Sequence, residues 1–308
     1  MKKYLLIGGS GFIGKNLADK LSKEDSVIVA DMVFNEMFVG NEKISFRPLN
    51  FVETVDFTPY LGGVDTVVHL ICTVLPCDGT DNINNEIREN IFPTIDLLES
   101  MVRCGVKSIL FISSGGTVYG EGKGKKQKES SLTQPICKYG AHKLMIEKYL
   151  HLYKIYHGIN YKTIRLSNPY GSKLSTNAKQ GAVSIIARNI IDNKPITVWG
   201  NGHNVRDYIH IHDAVSGIIA VDGYCGNNMV FNIGSGIGHS INEIIEIILK
   251  LLPNKNADIV YTPKRDCDVG ESIMDISVIK RLTTWQPTIE LEEGIKMFIS
   301  QLVEELNL

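Results

Sequence analysis

Apolar residues in the first two-thirds of the chain come in short runs without polar alternation. These runs are Tyr4–Ile7, Ser26–Ala30, Thr66–Leu70, Ser108–Ser113 and Lys162–Leu166, with a late one at Met229–Ile233. Strands covered on both faces read this way, as in a parallel sheet flanked by helices. Between them, Asn90–Cys104 and Lys138–His157 carry helical periodicity. Strand and helix in alternation predict right-handed crossovers and an α/β, doubly wound parallel sheet. After Gly171 the rhythm changes. Gly181–Asn193 predicts a helix, Ile196–Trp199 a short strand and Asn242–Leu252 another helix, and the tail reads as a small mixed cap. Because the strand at Met229–Ile233 interrupts this region, we expect a smaller, interleaved C-terminal α+β lobe. The expected division is 1–170 plus 207–235 for the first lobe and 171–206 plus 236–308 for the second.

Composition narrows the partners. The chain has 308 residues, 44% hydrophobic and 21% charged, with a formal net charge of −2. That is globular usage, and it leaves no polycationic field for nucleic acid or an anionic membrane. An anionic ligand must therefore be held locally. The apolar stretch Val67–Leu75 is broken by His69 and Thr73, and it falls far short of the roughly 18–20 residues that span a bilayer. Met1-Lys2-Lys3 runs straight into Tyr4–Ile7, so no signal peptide is expected. The six cysteines (72, 77, 104, 137, 225 and 267) are scattered without a C-x-x-C pair. Reduced thiols and a cytoplasmic protein are the expectation.

Gly8-Gly9-Ser10-Gly11-Phe12-Ile13-Gly14 follows the first strand directly and opens a helix. Glycines at 8, 11 and 14 suit a tight turn, close approach of backbone to a pyrophosphate, and close helix–strand packing. Glycine spacing alone is unspecific. Here a second strand ends at Asp31, about 20 residues on, where a carboxylate can accept from the adenosine ribose hydroxyls. It would repel a 2′-phosphate, so NAD is the expected cofactor. Two Y-x-x-x-K pairs occur. Tyr119–Lys123 contains Gly120 and Gly122 and is a poor helix. Tyr139–Lys143 opens a convincing one, with Ile146, Leu150 and Tyr153 on the same face and Gly158 as a C-terminal cap. Side chains four apart on a helix are neighbours, so an ammonium beside the phenol is expected to lower its pKa from about 10 and make Tyr139 a general base. His210-Ile211-His212-Asp213 lacks a visible third ligand partner, and no metal is expected. The Lys123–Lys128 run reads as a solvated loop, and Trp199-Gly200 as a strand end and turn.

Taken together, these motifs resemble those of extended short-chain dehydrogenase/reductases of the nucleotide-sugar epimerase/dehydratase group, nearest to the UDP-hexose 4-epimerases. The resemblance runs nearly end to end. It rests on G-x-x-G-x-x-G at 8–14, Ser113-Ser114-Gly115-Gly116-Thr117-Val118-Tyr119-Gly120, Tyr139/Lys143, Arg165-Leu166-Ser167-Asn168-Pro169, Arg206-Asp207-Tyr208-Ile209-His210 and Arg265-x-x-Asp268. It implies a Rossmann first lobe that binds NAD and a second lobe that binds the nucleotide sugar.

The resemblance also implies residue roles. Gly8, Gly11, Phe12, Ile13 and Gly14 would lie at the NAD pyrophosphate and Asp31 at the adenosine ribose. Asn50 and Phe51 stand at the adenine, where the family has Asp-Ile or Asp-Val. Leu70, Ile71 and Cys72 would line the cofactor, with Asn90 a polar neighbour. Tyr139 would be the base, and Lys143 would also hold the nicotinamide ribose. Asn168, Arg206, Arg265 and Asp268 match positions that hold UDP, and guanidinium forks suit a diphosphate. Where the family has a Ser or Thr for the sugar 4-hydroxyl, this chain has Gly115, flanked by Ser114 and Thr117 as candidate replacements. Gly116-Thr117 also lacks the Asp-Glu pair of the 4,6-dehydratases. Ser272 replaces a bulky Tyr, which suggests room for an N-acetyl group. Asn90–Cys104 and Lys138–His157 match the helices of the family's homodimer interface, although their apolar faces would equally suit the sheet. The expected activity is NAD-dependent C4 epimerisation of UDP-glucose and UDP-galactose, with the N-acetylated pair as a further candidate substrate. The alternatives are another nucleotide-sugar epimerase or reductase of the same fold, or a non-catalytic NAD sensor.

Overall fold

The computed structural model describes residues 1–76, 82–171 and 181–305. The chain begins with β1 (Lys3–Ile7), α1 (Phe12–Leu21), β2 (Ser26–Asp31), β3 (Ile44–Pro48), α2 (Thr58–Leu61), β4 (Thr66–His69), α3 (Ile83–Cys104) and β5 (Ser108–Ser114). Next come α4 (Gly115–Val118), α5 (Lys138–His157), β6 (Asn160–Leu166), β7 (Asn168–Tyr170), α6 (Ala182–Ile191), β8 (Ile196–Trp199), β9 (Val205–His210), α7 (Ile211–Asp222) and β10 (Val230–Ile233). The chain closes with β11 (Gly238–Ser240), α8 (Ile241–Leu251), β12 (Ile259–Thr262), β13 (Glu271–Ser272), α9 (Ser277–Thr283) and α10 (Leu291–Glu305). Two compact units divide it. Unit 1 is Met1–Ser114, Cys137–Arg165 and Cys225–Phe231; unit 2 is Gly115–Ile136, Leu166–Tyr224 and Asn232–Leu308.

The main sheet has seven strands in the order β10-β6-β5-β4-β1-β2-β3. The pairings of β1 with β2 and β4, of β2 with β3 and of β4 with β5 are all parallel. The order reverses between β1 and β4, and ligands of open α/β sheets bind beyond the carboxyl ends of strands at such a switch point. Leu5, Ile7, Val67, Ile109 and Phe111 pack with Leu97 and Met101 of α3 and Ile146, Leu150 and Tyr153 of α5. The predicted apolar faces of both helices thus bury against this core. Gly158 ends α5 in the left-handed region (φ 69°) as its position foretold. β3 had no signature because it is an edge strand, and Ile44-Ser45-Phe46-Arg47-Pro48 is half-buried or exposed throughout. α3 begins at Ile83, earlier than its apolar periodicity, because the Asn82 side chain caps the Asn85 N–H and starts a polar first turn.

In unit 2, β9 pairs with β7 and β13 in parallel and with β11 antiparallel, while β8 pairs with β12. Val183, Ile186, Ile190, Val198, Ile244, Ile248, Ile295 and Phe298 form its core. Gly115–Ile136 is tied into this unit by backbone bonds from Gln127 to Ile273 and from Asp275 to Gln127, and by Tyr119 donating to Asn232 at 2.6 Å. Asp207 is fully buried; its carboxylate accepts the Ser235, Gly236 and Met274 N–H groups and so fixes β9. The expectation of reduced thiols throughout is corrected at one residue. Cys267 is disulfide-bonded, whereas Cys72, Cys104, Cys137 and Cys225 are not in disulfides. Cys77 lies outside the described residues.

Candidate active site

In unit 1 the chain leaves β1 through Gly8, whose N–H donates to Ala30 at 2.9 Å. Gly8 has φ +83°, and a Cβ there would approach the Ile71 side chain to 2.6 Å. A Cβ on Gly14 would meet Gly9 Cα at 2.6 Å, so α1 presses directly on the turn. Gly11 caps α1 without a side-chain acceptor, and the first turn holds no acidic residue. The amides that open α1 at Phe12 and Ile13 therefore remain available to an anion. The Ser10 hydroxyl is buried without a partner. Asp31 closes β2 and accepts the Ser10 N–H at 3.0 Å and the Met32 N–H at 2.8 Å, which brings its carboxylate to the turn. An amide cradle free of side chains beside a strand-end carboxylate fits NAD.

The other expected cofactor residues divide. Leu70 continues β4 by donating its N–H to Ile7, Ile71 touches the glycine turn, and Cys72 is half-buried. Phe51 is instead a core residue, with its ring 5.2 Å from that of His69 and 5.7 Å from that of Phe57. The Asn50 carbonyl accepts from the Thr54 hydroxyl at 2.6 Å. Asn90 has both amide atoms engaged within the chain. It accepts the Thr73 N–H at 2.9 Å and donates to the Thr73 hydroxyl and the Glu86 carbonyl, tying the segment after β4 to α3.

The end of β5 and the start of α5 assemble Ser114, Tyr139 and Lys143. Cys137 caps α5, its Sγ accepting the Gly140 N–H at 3.4 Å. The ammonium of the buried Lys143 lies 5.7 Å from the centre of the Tyr139 ring and 4.9 Å from that of Phe111, and it donates to the Ile112 carbonyl at 2.8 Å. Ser114 hydrogen-bonds the Tyr139 hydroxyl and favours its ionised form. The expectation of a phenol lowered by the ammonium is overturned in the protein alone. Burial raises the Tyr139 phenol, Cys72 and Cys137 add to the rise, and only Ser114 opposes it. Desolvation of the buried phenol is the dominant cause. Burial likewise lowers Lys143, countered by Cys72 and Glu147. His69 beneath is buried and pushed down to about 3, first by burial and then by Lys143, so it is neutral.

Unit 2 groups the other candidates. Arg206 on β9 is half-buried, and its Nη1 donates to the Val205 carbonyl at 2.9 Å. Burial lowers it, and Asp268 and Glu121 offset this only electrostatically. Among the described residues no carboxylate comes within ion-pair range of it. Arg265 grips Asp268 bidentately, at 2.9 and 3.0 Å, with its guanidinium 4.9 Å from the centre of the Trp199 ring. Asn168 donates to the Asp207 carbonyl at 3.1 Å. Ser272 is buried and donates to the Gly115 carbonyl at 3.4 Å. The Thr117 hydroxyl is buried without a partner. Trp199, which the sequence marks only as a strand end, and Glu121, which accepts the Gly270 N–H at 2.8 Å, are additional members of this cluster. His210 Nδ1 caps α7 by accepting the His212 N–H at 3.3 Å. Among the described residues no group of three or more metal-ligating side chains occurs, and no helix is long and apolar enough to cross a membrane.

Residues 4–234 match the NAD dependent epimerase/dehydratase family. The chain belongs to that family. It is a nucleotide-sugar epimerase/dehydratase of the extended short-chain dehydrogenase fold, and its cofactor is NAD. It is 29% identical to a UDP-glucose 4-epimerase from Thermotoga maritima solved with UDP-glucose, with a TM-score of 0.91 over 99% of both chains. It is 26% identical to a Bacillus cereus UDP-glucuronic acid 4-epimerase solved with UDP-glucuronic acid and NAD, with a TM-score of 0.88 over 97% of this chain and 99% of the other. It is also 30% identical to an Escherichia coli dTDP-4-dehydro-6-deoxyglucose reductase, over 97% of this chain and 96% of that protein.

Proposed function

We propose that this family member interconverts UDP-hexoses at C4 through a 4-keto sugar. The observation that carries the proposal is the cluster of Ser114, Tyr139 and Lys143 where β5 meets α5. In unit 1 the amides that open α1 at Phe12 and Ile13 would hold the NAD pyrophosphate and Asp31 the adenosine ribose. Bound NAD supplies the hydride acceptor and then the hydride donor at C4, and is regenerated in each turnover. Tyr139 takes the proton of the 4-hydroxyl as the C4–H bond breaks, and returns it when C4 is reduced from the other face. Ser114 holds the phenol oxygen and stabilises the phenolate. Lys143 orients the nicotinamide ribose and supplies positive charge beside the base. Gly115 leaves Ser114 as the serine at Tyr139, while Thr117 offers a second hydroxyl.

Unit 2 holds the UDP moiety. Arg206, unpaired with any carboxylate among the described residues, and Arg265, backed by Trp199 and Asp268, suit a diphosphate. Anchoring through the nucleotide leaves the sugar free to present either face. Ser272 gives a small side chain at the sugar, so the N-acetylated pair is included. A homodimer belongs to the same proposal. Exposed Phe92 of α3 and Met145, Leu152 and Tyr156 of α5 support it, as does a core already filled by the opposite faces of these helices.

The decisive test is to denature the purified protein, identify the released dinucleotide, and assay a panel of UDP-sugars. NAD release together with UDP-galactose to UDP-glucose conversion is expected. The E. coli relative favours a second reading, in which the same residues protonate a 4-keto sugar as it is reduced. Stoichiometric consumption of reduced nicotinamide would select it.

A further inference from the structure

Three consecutive residues at the end of β5 each meet one residue of α5, spaced a helical turn apart. Ser114 hydrogen-bonds Tyr139, the Ile112 carbonyl accepts from Lys143 at 2.8 Å, and the Ser113 hydroxyl donates to Glu147 Oε1 at 2.6 Å. Glu147 is buried, with 6% of its side chain exposed, and is held on its far side by an equally buried Arg165 on β6. Arg165 Nε reaches Oε1 at 3.2 Å and Nη2 reaches Oε2 at 2.7 Å. The carboxylate thus accepts from two strands and stands four residues after Lys143 on one helix face. Such a pair is a poor source of stability. Desolvating two charges costs about what their attraction returns, and apolar replacements of both partners are often neutral or stabilising. Net stability alone therefore accounts poorly for the pair.

We propose that Glu147 is a positioning residue for the Tyr139–Lys143 pair: it fixes the register of α5 on the end of β5 and lays a negative charge one turn behind the Lys143 ammonium. Around that ammonium, the partners from other elements are Cys72 after β4, His69 on β4, and the Phe111 ring and Ile112 carbonyl on β5. On α5 itself they are Tyr139 and Glu147. His69 is neutral, so Glu147 and Cys72 are the groups that oppose the desolvation of Lys143. Facing Glu147 are Arg165 and Tyr161 of β6 and Ser113 of β5. Glu147 acts through Lys143, and its importance for turnover rests on the reading of Tyr139 and Lys143 given above.

The test compares Glu147→Gln with Glu147→Gln/Arg165→Met, the second variant guarding against an uncompensated buried arginine. Lysine side-chain NMR on the whole NAD-loaded protein should show the Lys143 titration midpoint lowered by about one pH unit, as expected for losing a nearby opposite charge. With substrate, the alkaline limb of kcat should move to lower pH by about one unit, so that kcat on that limb falls about tenfold. KM for the UDP-sugar should stay within about twofold. A folded double variant whose Lys143 titration and kcat–pH profile superimpose on those of the parent overturns the proposal and leaves Glu147 a structural residue. The NMR readout needs no substrate. Should the parent turn over no UDP-hexose, the functional reading fails separately while the Lys143 titration still decides this inference.

Discussion

Lys143 in unit 1 and Arg206 in unit 2 are both desolvated cations, and burial lowers the pKa of each. Their surroundings differ. Lys143 is fully committed, with its ammonium on the Ile112 carbonyl, the Phe111 and Tyr139 rings nearby and Glu147 one turn behind. Among the described residues Arg206 hydrogen-bonds only backbone carbonyls, and the nearby Asp268 is occupied by Arg265. A compact ammonium with fixed partners suits tuning a proton, whereas a guanidinium fork with spare donors suits capturing an oxyanion. The proposed function assigns chemistry to unit 1 and anchoring to unit 2, and kinetics can break that division.

The largest effect is expected in unit 1. Tyr139→Phe should retain NAD but lose kcat by about 10²–10⁴-fold, as general-base removal does; turnover assays with a cofactor-release measurement check it, and near-normal turnover removes Tyr139 from the chemistry. In unit 2 the loss should fall on binding instead. Arg206→Met should raise KM for a UDP-sugar by about 10–100-fold, the equivalent of a lost charge-assisted hydrogen bond, with kcat little changed. A fall in kcat at constant KM would erase the distinction between the units. Arg265→Lys should raise KM by about fivefold, because lysine keeps the charge but loses the fork on Asp268 and the stacking on Trp199; titration calorimetry with UDP reads this without turnover.

The smallest effect concerns stability, and here the two units should behave alike. His69 in unit 1 is held at about 3 and His210 in unit 2 at about 4, both mainly by burial. Each is neutral when folded and would gain a proton near its ordinary value of 6.5 only when unfolded. Their contribution is therefore complete above pH 6.5 and is lost as pH falls toward 4 and then 3. His69→Gln should make the fall in Tm with acidification shallower by about 2–4 °C, read by thermal unfolding across that window.

The buried strands and the glycine turn were legible because strands covered on both faces leave uninterrupted apolar runs, and because Gly8 and Gly14 have no room for a side chain. The edge strand at Ile44–Pro48 was not, since exposure breaks its apolar run. Helical spacing foretold that Tyr139 and Lys143 are neighbours, but not the environment of the phenol. Spacing places an ammonium nearby without saying that it bonds Ile112 or that Cys72 and Cys137 flank the hydroxyl. Asn90 and Phe51 matched a motif, yet their side chains are engaged in a loop tie and the core. Trp199 and Glu147 went unmarked because their partners, Arg265 and Arg165, are distant along the chain.

The most direct test of the central claim follows UDP-galactose by proton NMR while nicotinamide absorbance is recorded in the same sample. Conversion to UDP-glucose with no net change in reduced nicotinamide is the result this account predicts. Product that forms only in proportion to nicotinamide oxidised or reduced would contradict it.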